Sequence, residues 1–411
     1  MIPKRCRILY IEKPVFVGGG VISLYELVRG LDTSRYEPVV LFHGPNPYRE
    51  RFRELGVKVT ILSEKETAVM PPNSSQRDVA ASLSRYGNWL ADGYRAAKDV
   101  YLLARRDWPL VPRVARLIRD EAIDLVHHNN SLTGSRATVM AARLAGTPQV
   151  CQVRMLHPFS FVERYLAHFV NCFIYISRAV EECYRNQGIP SSRGQVVHNP
   201  ISVEACGQTH HAAELRAEFG LTDQDRLISN VGRLDWWKGH DYFLQAMAEV
   251  IQSQPNMKAL IVGASDSTSR NQAYCQRLQQ LVRDLDLSDH VIFTGFRTDV
   301  PRIMAGSDVV VHSASEPEPF GRVIVEAMAA GRPVVATAAG GVLDIIEDQV
   351  NGLLVPPKNA ALMAKAIQQL LQNQEQARRL GQRAQQYAKE HFSVKRHVTA
   401  VQGVYQRILA P

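Results

Sequence analysis

The sequence is poor in the features that mark several protein classes. Its six cysteines (Cys6, Cys151, Cys172, Cys183, Cys206 and Cys275) are scattered over 411 residues, and none forms a C-x-x-C pair. This spacing argues against a secreted disulfide framework or a zinc ribbon and suits reduced, mostly buried thiols. No apolar run reaches the roughly 18 residues that a membrane-crossing helix needs. The basic start, Met1–Lys13, holds only a short apolar run, which reads as a first β-strand and not as a signal peptide. The dinucleotide fingerprint G-x-G-x-x-G is missing where Gly18, Gly19 and Gly20 follow that strand. Acidic residues are scarce in one half only. Residues 1–203 carry 27 Lys+Arg against 18 Asp+Glu, whereas residues 204–411 carry 21 against 22. The basic half suits an anionic partner, and the near-neutral half argues against a nucleic-acid protein.

What is present is a repeated alternation of short apolar runs and helical stretches. Runs at 7–11, 38–42, 57–62, 124–128, 149–153, 173–176 and 195–197 predict seven strands in the first half. Runs at 227–231, 259–262, 291–294, 309–311, 334–336 and 352–355 predict six in the second. Such runs between helices imply parallel sheets covered on both faces. At this length, two domains of roughly 200 residues are expected. The polar segment 202–211 reads as the linker between residues 1–203 and 204–391, and a last helix over about 392–411 is expected to pack back on the first domain. The expected fold is therefore two doubly wound, Rossmann-like α/β domains facing across a cleft, with ligands beyond the C-terminal strand ends. The stretch Arg77–Arg119 interleaves Trp89, Tyr94, Tyr101 and Trp108 with arginines. It fits either a packed helical pair or a flank that meets an anionic membrane surface or binds the acceptor.

Two motifs carry chemistry. In the first, Glu318, Pro319, Phe320 and Gly321 lead from a strand into a helix that reaches Glu326. Two carboxylates eight positions apart can face one hydroxyl-rich ligand, because each oxygen accepts from a sugar or ribose hydroxyl. Gly321 near the helix start permits close approach of backbone N–H groups. In the second, Gly232 to Gly239 follow a strand and carry Arg233 and Lys238. A forked guanidinium with a point ammonium suits a diphosphate, and cations placed there stabilise the charge that develops on it as a leaving group. The glycine run at 18–20 is a weaker signal of the same kind. Asp284 with Asp286 and Asp223 with Asp225 resemble D-x-D metal motifs, but they lie in polar segments. His127–His128 and His210–His211 lack a further ligand at metal spacing, so no metal is expected. An acceptor role or simple packing both remain open for His127 and His128.

The order G-R-L-x(3)-K-G and then E-P-F-G-R-V-x-x-E-A-M-A-x-G resembles the retaining glycosyltransferases of family 4, which have the GT-B fold. The likeness extends over nearly the whole chain, through Ser177, His198–Asn199 and Gly340–Gly341. It implies that Arg233 and Lys238 bind the donor diphosphate, that Glu318 contacts the transferred sugar and that Glu326 binds the ribose. Phe320, Gly321, Arg322 and Val323 would line the donor, Gly19 and Gly20 would approach the phosphates, and the loop Gly295-Phe296-Arg297 would meet the base, largely through its backbone. Many members carry a histidine where this chain has Arg154, with His157 three residues on. Arg154, His157 and His128 are therefore the expected acceptor-side residues, and an arginine can bind an anionic acceptor there. The implied reaction moves a hexose-type unit from a nucleoside diphosphate sugar, by family a UDP-sugar, to an acceptor hydroxyl without a cofactor. The implied acceptor is a carbohydrate or a lipid-linked molecule of cell-surface polysaccharide or glycolipid synthesis. The protein would work in the cytoplasm as a monomer or homodimer, with an anionic membrane surface as a further candidate partner. A sugar-nucleotide epimerase, a phosphorylase and a non-catalytic scaffold are the alternatives on this fold.

Overall fold

The computed structural model describes residues 5–13, 18–62, 88–206, 212–222, 224–265 and 268–410, with the side chains of 88–91, 204–205 and 212 excepted. The Trp89 side chain, the start of the Arg77–Arg119 stretch, Asp223, His210 and His211 lie outside the described residues.

The chain divides into two compact units, Met1–His198 with His397–Pro411, and Asn199–Arg396. In the first, seven strands form one sheet: β1 (Cys6–Glu12), β2 (Tyr36–Phe42), β3 (Lys58–Ile61), β4 (Leu125–His128), β5 (Gln149–Val153), β6 (Cys172–Tyr175) and β7 (Gly194–Val196). Their order is β3-β2-β1-β4-β5-β6-β7, and each pairing is parallel. In the second unit six strands do the same: β8 (Arg226–Val231), β9 (Met257–Val262), β10 (Val291–Gly295), β11 (Val309–His312), β12 (Val334–Thr337) and β13 (Leu353–Val355). Their order is β10-β9-β8-β11-β12-β13, again all parallel. The central strands are buried along their length, as in Val309–His312 and Val334–Thr337, because helices cover both sheet faces. Leu9, Ile11, Val39, Leu41 and Val126 pack under helix Val111–Asp120 on one side of the first sheet. Ile228, Phe243, Met247, Ala259, Ile261 and Ile367 fill one side of the second.

In each sheet the strand order reverses once. The first reverses between β1 and β4, and the second between β8 and β11. Neighbouring crossovers there run to opposite faces, which leaves a crevice beyond the C-terminal strand ends. Gly18–Gly20 follow β1, the Gly232–Gly239 loop follows β8, and Ser313–Glu318 follow β11.

The expected linker is corrected. Val203–Cys206 is a helical turn packed on helices Val300–Gly306 and Arg322–Ala329, and so belongs to the second unit. The preceding backbone is held there as well, since Ile201 pairs with Ser393 and its N–H donates to Phe392 O at 2.9 Å. The chain therefore changes unit after His198, five residues before the expected boundary. The last helix, Val394–Leu409, joins the first unit from His397 onward. There His397 Nδ1 meets His198 O at 2.7 Å, and Tyr405 is fully buried against Tyr10 and His127.

Candidate active site

In the second unit the two motifs meet. Lys238 Nζ lies 2.5 Å from Glu318 Oε2, and His312 Nε2 lies 3.4 Å from the same oxygen. The ammonium also sits 4.2 Å from the ring centroid of Trp237, a cation–π contact that fixes its direction. Glu318 is buried, which by itself would push its carboxyl up. The Lys238 ammonium and the His312 ring outweigh that and hold it at about 2. Glu318 is therefore a carboxylate across the working pH range. His240 beside this pair is fully buried, and burial with the nearby Lys238 and His312 lowers its pKa to about 3.

Backbone contacts explain why residues 80 positions apart converge. The Lys238 loop lies on the segment that follows β11: Ser315 N donates to Trp237 O at 2.9 Å, and Ser313 Oγ donates to Lys238 O at 2.9 Å. Asn230 at the end of β8 holds the same Ser313 hydroxyl at 2.8 Å. Gly239 turns there with φ +66°, and a Cβ would stand 2.1 Å from Ser313 O. A second glycine pair secures Glu318 from the other side. Gly341 N donates to Glu318 O at 2.7 Å, and a Cβ on Gly340 would stand 2.3 Å from that oxygen. These glycines let main chain touch main chain around the carboxylate.

Arg233 is half exposed, and its guanidinium reaches Asp235 at 2.7 Å. Asp235 is itself buried and receives Asn271 Nδ2 at 2.6 Å. Phe320 is buried and packs edge-on to Phe392 at 5.8 Å, so it anchors the loop while Gly321, at φ +102°, opens helix Arg322–Ala329. Val323 is half-buried on the first turn of that helix. Glu326 lies one turn on from Arg322, at 3.2 Å, and burial pushes its carboxyl up against the pull of that arginine. Arg322 also donates to Pro200 O at 3.0 Å.

The Arg297 side chain is engaged within the second unit. Its guanidinium makes paired bonds to Asp299, both at 2.7 Å, and meets Glu218 at 2.5 and 3.2 Å. The side chain thus braces the loop after β10, in which the Phe296 ring is exposed.

In the first unit the strand ends around the order reversal hold a buried polar network. Glu12, at the end of β1, is fully buried. Its carboxylate accepts from the side-chain amides of Asn129 and, at 2.7 Å, Asn130. Asn129 also donates to Gly20 O at 3.1 Å, and it receives Arg154 twice, through O at 2.8 Å and Oδ1 at 2.9 Å. Gln152 Oε1 takes Arg154 Nη2 at 2.9 Å. Burial raises the Glu12 carboxyl to about 7 against the two amides and Arg154. A Cβ on Gly20 would stand 2.3 Å from Asn130 Oδ1, so the helix Gly19–Arg29 reaches this network only because that position is glycine. Arg154 and Gly20 are thus brought together, with Gly19 at the first helical position. Glu12, Asn129 and Asn130 belong to no motif. Their one signal is that polar residues end two strands on either side of the reversal.

The acceptor-side expectation for His128 is corrected. The ring is fully buried, with Nε2 2.9 Å from Gln149 Oε1 and Nδ1 3.1 Å from Thr138 Oγ1, and burial lowers its pKa to about 4. Both nitrogens serve packing between β4, β5 and helix Arg136–Ala145. His127 is also core, 2.6 Å from the Tyr405 hydroxyl. His157 is exposed and its carbonyl accepts from Tyr184. Among the described residues, no group of three His, Cys, Asp or Glu is placed to hold a metal ion. Nor is any described helix long and apolar enough to cross a membrane.

Residues 17–205 match the family model described as Glycosyltransferase Family 4, and residues 212–387 match that described as Glycosyl transferases group 1. An uncharacterized glycosyltransferase of Methanocaldococcus jannaschii is 32% identical over 214 residues, 50% of this chain and 53% of that protein. Alpha-D-kanosaminyltransferase of Streptomyces kanamyceticus is 29% identical over 77% of this chain and 85% of its own. The chain's match spans about half the length of the first curated relatives. Among solved structures, Anabaena HepE in complex with UDP and glucose superposes with a TM-score of 0.79 at 24% identity, covering 98% of this chain and 100% of that one. Sucrose-phosphate synthase from Thermosynechococcus elongatus gives 0.77 at 20% identity, covering 99% and 100%. These likenesses show the fold, and the two tandem matches cover both halves of the sequence in order. With two parallel doubly wound sheets, the chain belongs to the family 4 glycosyltransferases and has the GT-B fold.

Proposed function

We propose that the protein transfers a sugar from a nucleoside diphosphate sugar, UDP-linked, to an acceptor hydroxyl with retention of anomeric configuration. The observation that carries this reading is the Lys238–Glu318 pair beyond the strand ends where the second sheet reverses. Without donor, the cation and the carboxylate neutralise each other. With donor, the ammonium turns to the diphosphate alongside Arg233, and Glu318 accepts from a hydroxyl of the sugar. Glu326 takes the ribose. The acceptor oxygen attacks the anomeric carbon from the face the diphosphate leaves, the bond from that carbon to the phosphate oxygen breaks, and the departing phosphate takes the acceptor's proton. No protein nucleophile and no metal are required, since cations meet the charge that develops. Anabaena HepE has been solved in complex with UDP and with UDP-glucose, which supports the choice of uridine diphosphate here.

The first unit is the acceptor half, with Arg154 held by Asn129 and Gln152 as its anion-recognising group. A carbohydrate or lipid-linked acceptor of surface polysaccharide or glycolipid synthesis fits this chemistry. The inner face of a membrane, with its anionic lipids, is the partner surface we assign to the basic first half. Proton NMR of the product formed from an α-linked UDP-sugar tests the stereochemistry. An α-linked product is expected, and a β-linked product refutes retention.

A further inference from the structure

Helix Asn88–Leu102 runs into a π-helical turn, Leu103–Asp107, and on through Trp108–Leu110. Its inner side is tied down by a buried ionic triad. Arg136 Nη2 lies 2.6 Å from Asp99 and 2.9 Å from Glu163, and all three side chains are at most 10% exposed. Asp99 also accepts from the N–H of Val162, so helix Phe161–Leu166 is clamped beside it. The outer side of both helices carries large rings in water. Tyr101 is 56% exposed, and Trp108, Phe161 and Tyr165 are each 62% exposed. Arg105 lies one turn beyond Tyr101, and Arg164 lies between Phe161 and Tyr165. Both are exposed, and neither is in any ion pair among the described residues. A rigid face of this kind exposes apolar area that folding would otherwise have hidden.

We propose that this face seats the protein on an anionic lipid surface. The assignment rests on the reading of a membrane as partner and gives that partner a place on the chain. It does not depend on the donor site. Trp and Tyr rings favour the headgroup level, where one end is apolar and the other wet, and exposed arginines there meet lipid phosphates. Charge decides between lipid and a second copy of this chain. Residues 92–120 hold seven Lys+Arg and four Asp, of which Asp99 and Asp107 are buried, so an isologous dimer would press like charges together. The triad explains why the rings stand outward: it spends the polar side of both helices on each other.

The test uses the full chain with vesicles of phosphatidylglycerol and phosphatidylcholine, and with phosphatidylcholine alone. Wild type is expected to sediment with the anionic vesicles, to release as salt is raised, and to stay free of the neutral ones. Tyr101→Ala/Trp108→Ala and Arg105→Gln/Arg164→Gln should each weaken partitioning by about tenfold or more. The pair Arg378→Gln/Arg379→Gln, exposed on helix Gln374–His391 of the second unit, should bind as wild type does. Equal binding by all four proteins, or none by wild type at low salt, overturns the proposal. So does self-association that the aromatic variant abolishes without vesicle binding, which assigns the face to a second copy. UDP-induced thermal stabilisation, followed in the same samples, should be unchanged in every variant, so failure of the lipid face and failure of the donor site read out separately.

Discussion

Lys238→Met should lower turnover of the nucleotide sugar by about 10²–10³-fold, the cost of removing one charged group aimed at developing negative charge. Methionine keeps the length that covers the Trp237 ring and removes only the ammonium. The same change should destabilise the protein by about 3 kcal/mol near neutrality, because Glu318 is then a buried carboxylate without its cation. The sign of the pH dependence follows. In wild type the carboxyl titrates at about 2, below its unfolded value of about 4.3, so its contribution is complete above that value and is lost only as pH falls towards 2. In the variant, burial dominates and the carboxyl moves above its unfolded value, so its stability is lost as pH rises. The gap between the two proteins should therefore narrow from pH 8 to pH 5. Urea unfolding at both values checks this, and a gap that widens on acidification contradicts it.

Glu318→Gln should separate stability from catalysis. The amide retains the shape and one acceptor oxygen, and Lys238 stands partly in water at 18% side-chain exposure, so stability should fall by only about 1 kcal/mol. A charge-assisted bond to the sugar hydroxyl is lost, and turnover should drop by about ten- to a hundredfold, since such bonds contribute about 1.5–3 kcal/mol. The double variant Lys238→Met/Glu318→Gln carries no buried charge there. It should recover most of the stability lost by Lys238→Met and none of the turnover. Initial rates and urea midpoints measured on the three variants decide it. Recovery of both quantities together would make the pair a structural ion pair and nothing more.

All thirteen strands among the described residues were legible in the sequence, because parallel strands buried on both faces are continuous apolar runs. The two glycine-bounded motifs around Lys238 and Glu318 were visible for a related reason. Each is local, with glycines where backbone must approach backbone, as at Gly239 against Ser313. What escaped depends on distant contacts. The end of the first unit is set by Ile201 pairing with Ser393, and neither residue signals the other. Glu12 meets Asn129 across 117 positions. A lone carboxylate ending a strand looks like any surface acid until the strand order places β1 beside β4. His128 misled in the opposite way. A histidine at the end of a strand suggests a ligand, yet Gln149 and Thr138 occupy both its nitrogens. The Arg297 guanidinium is claimed by Asp299 and by Glu218, the latter 79 positions away in the sequence.

The most direct test of the donor site is thermal unfolding with a panel of nucleoside diphosphates and nucleotide sugars. UDP at about one hundred times its Kd should add about 2.7 kcal/mol of stability to wild type. At the same concentration it should add far less to Lys238→Met. Stabilisation by no nucleotide, or equal stabilisation of both proteins, would contradict a diphosphate site built on Lys238 and Glu318.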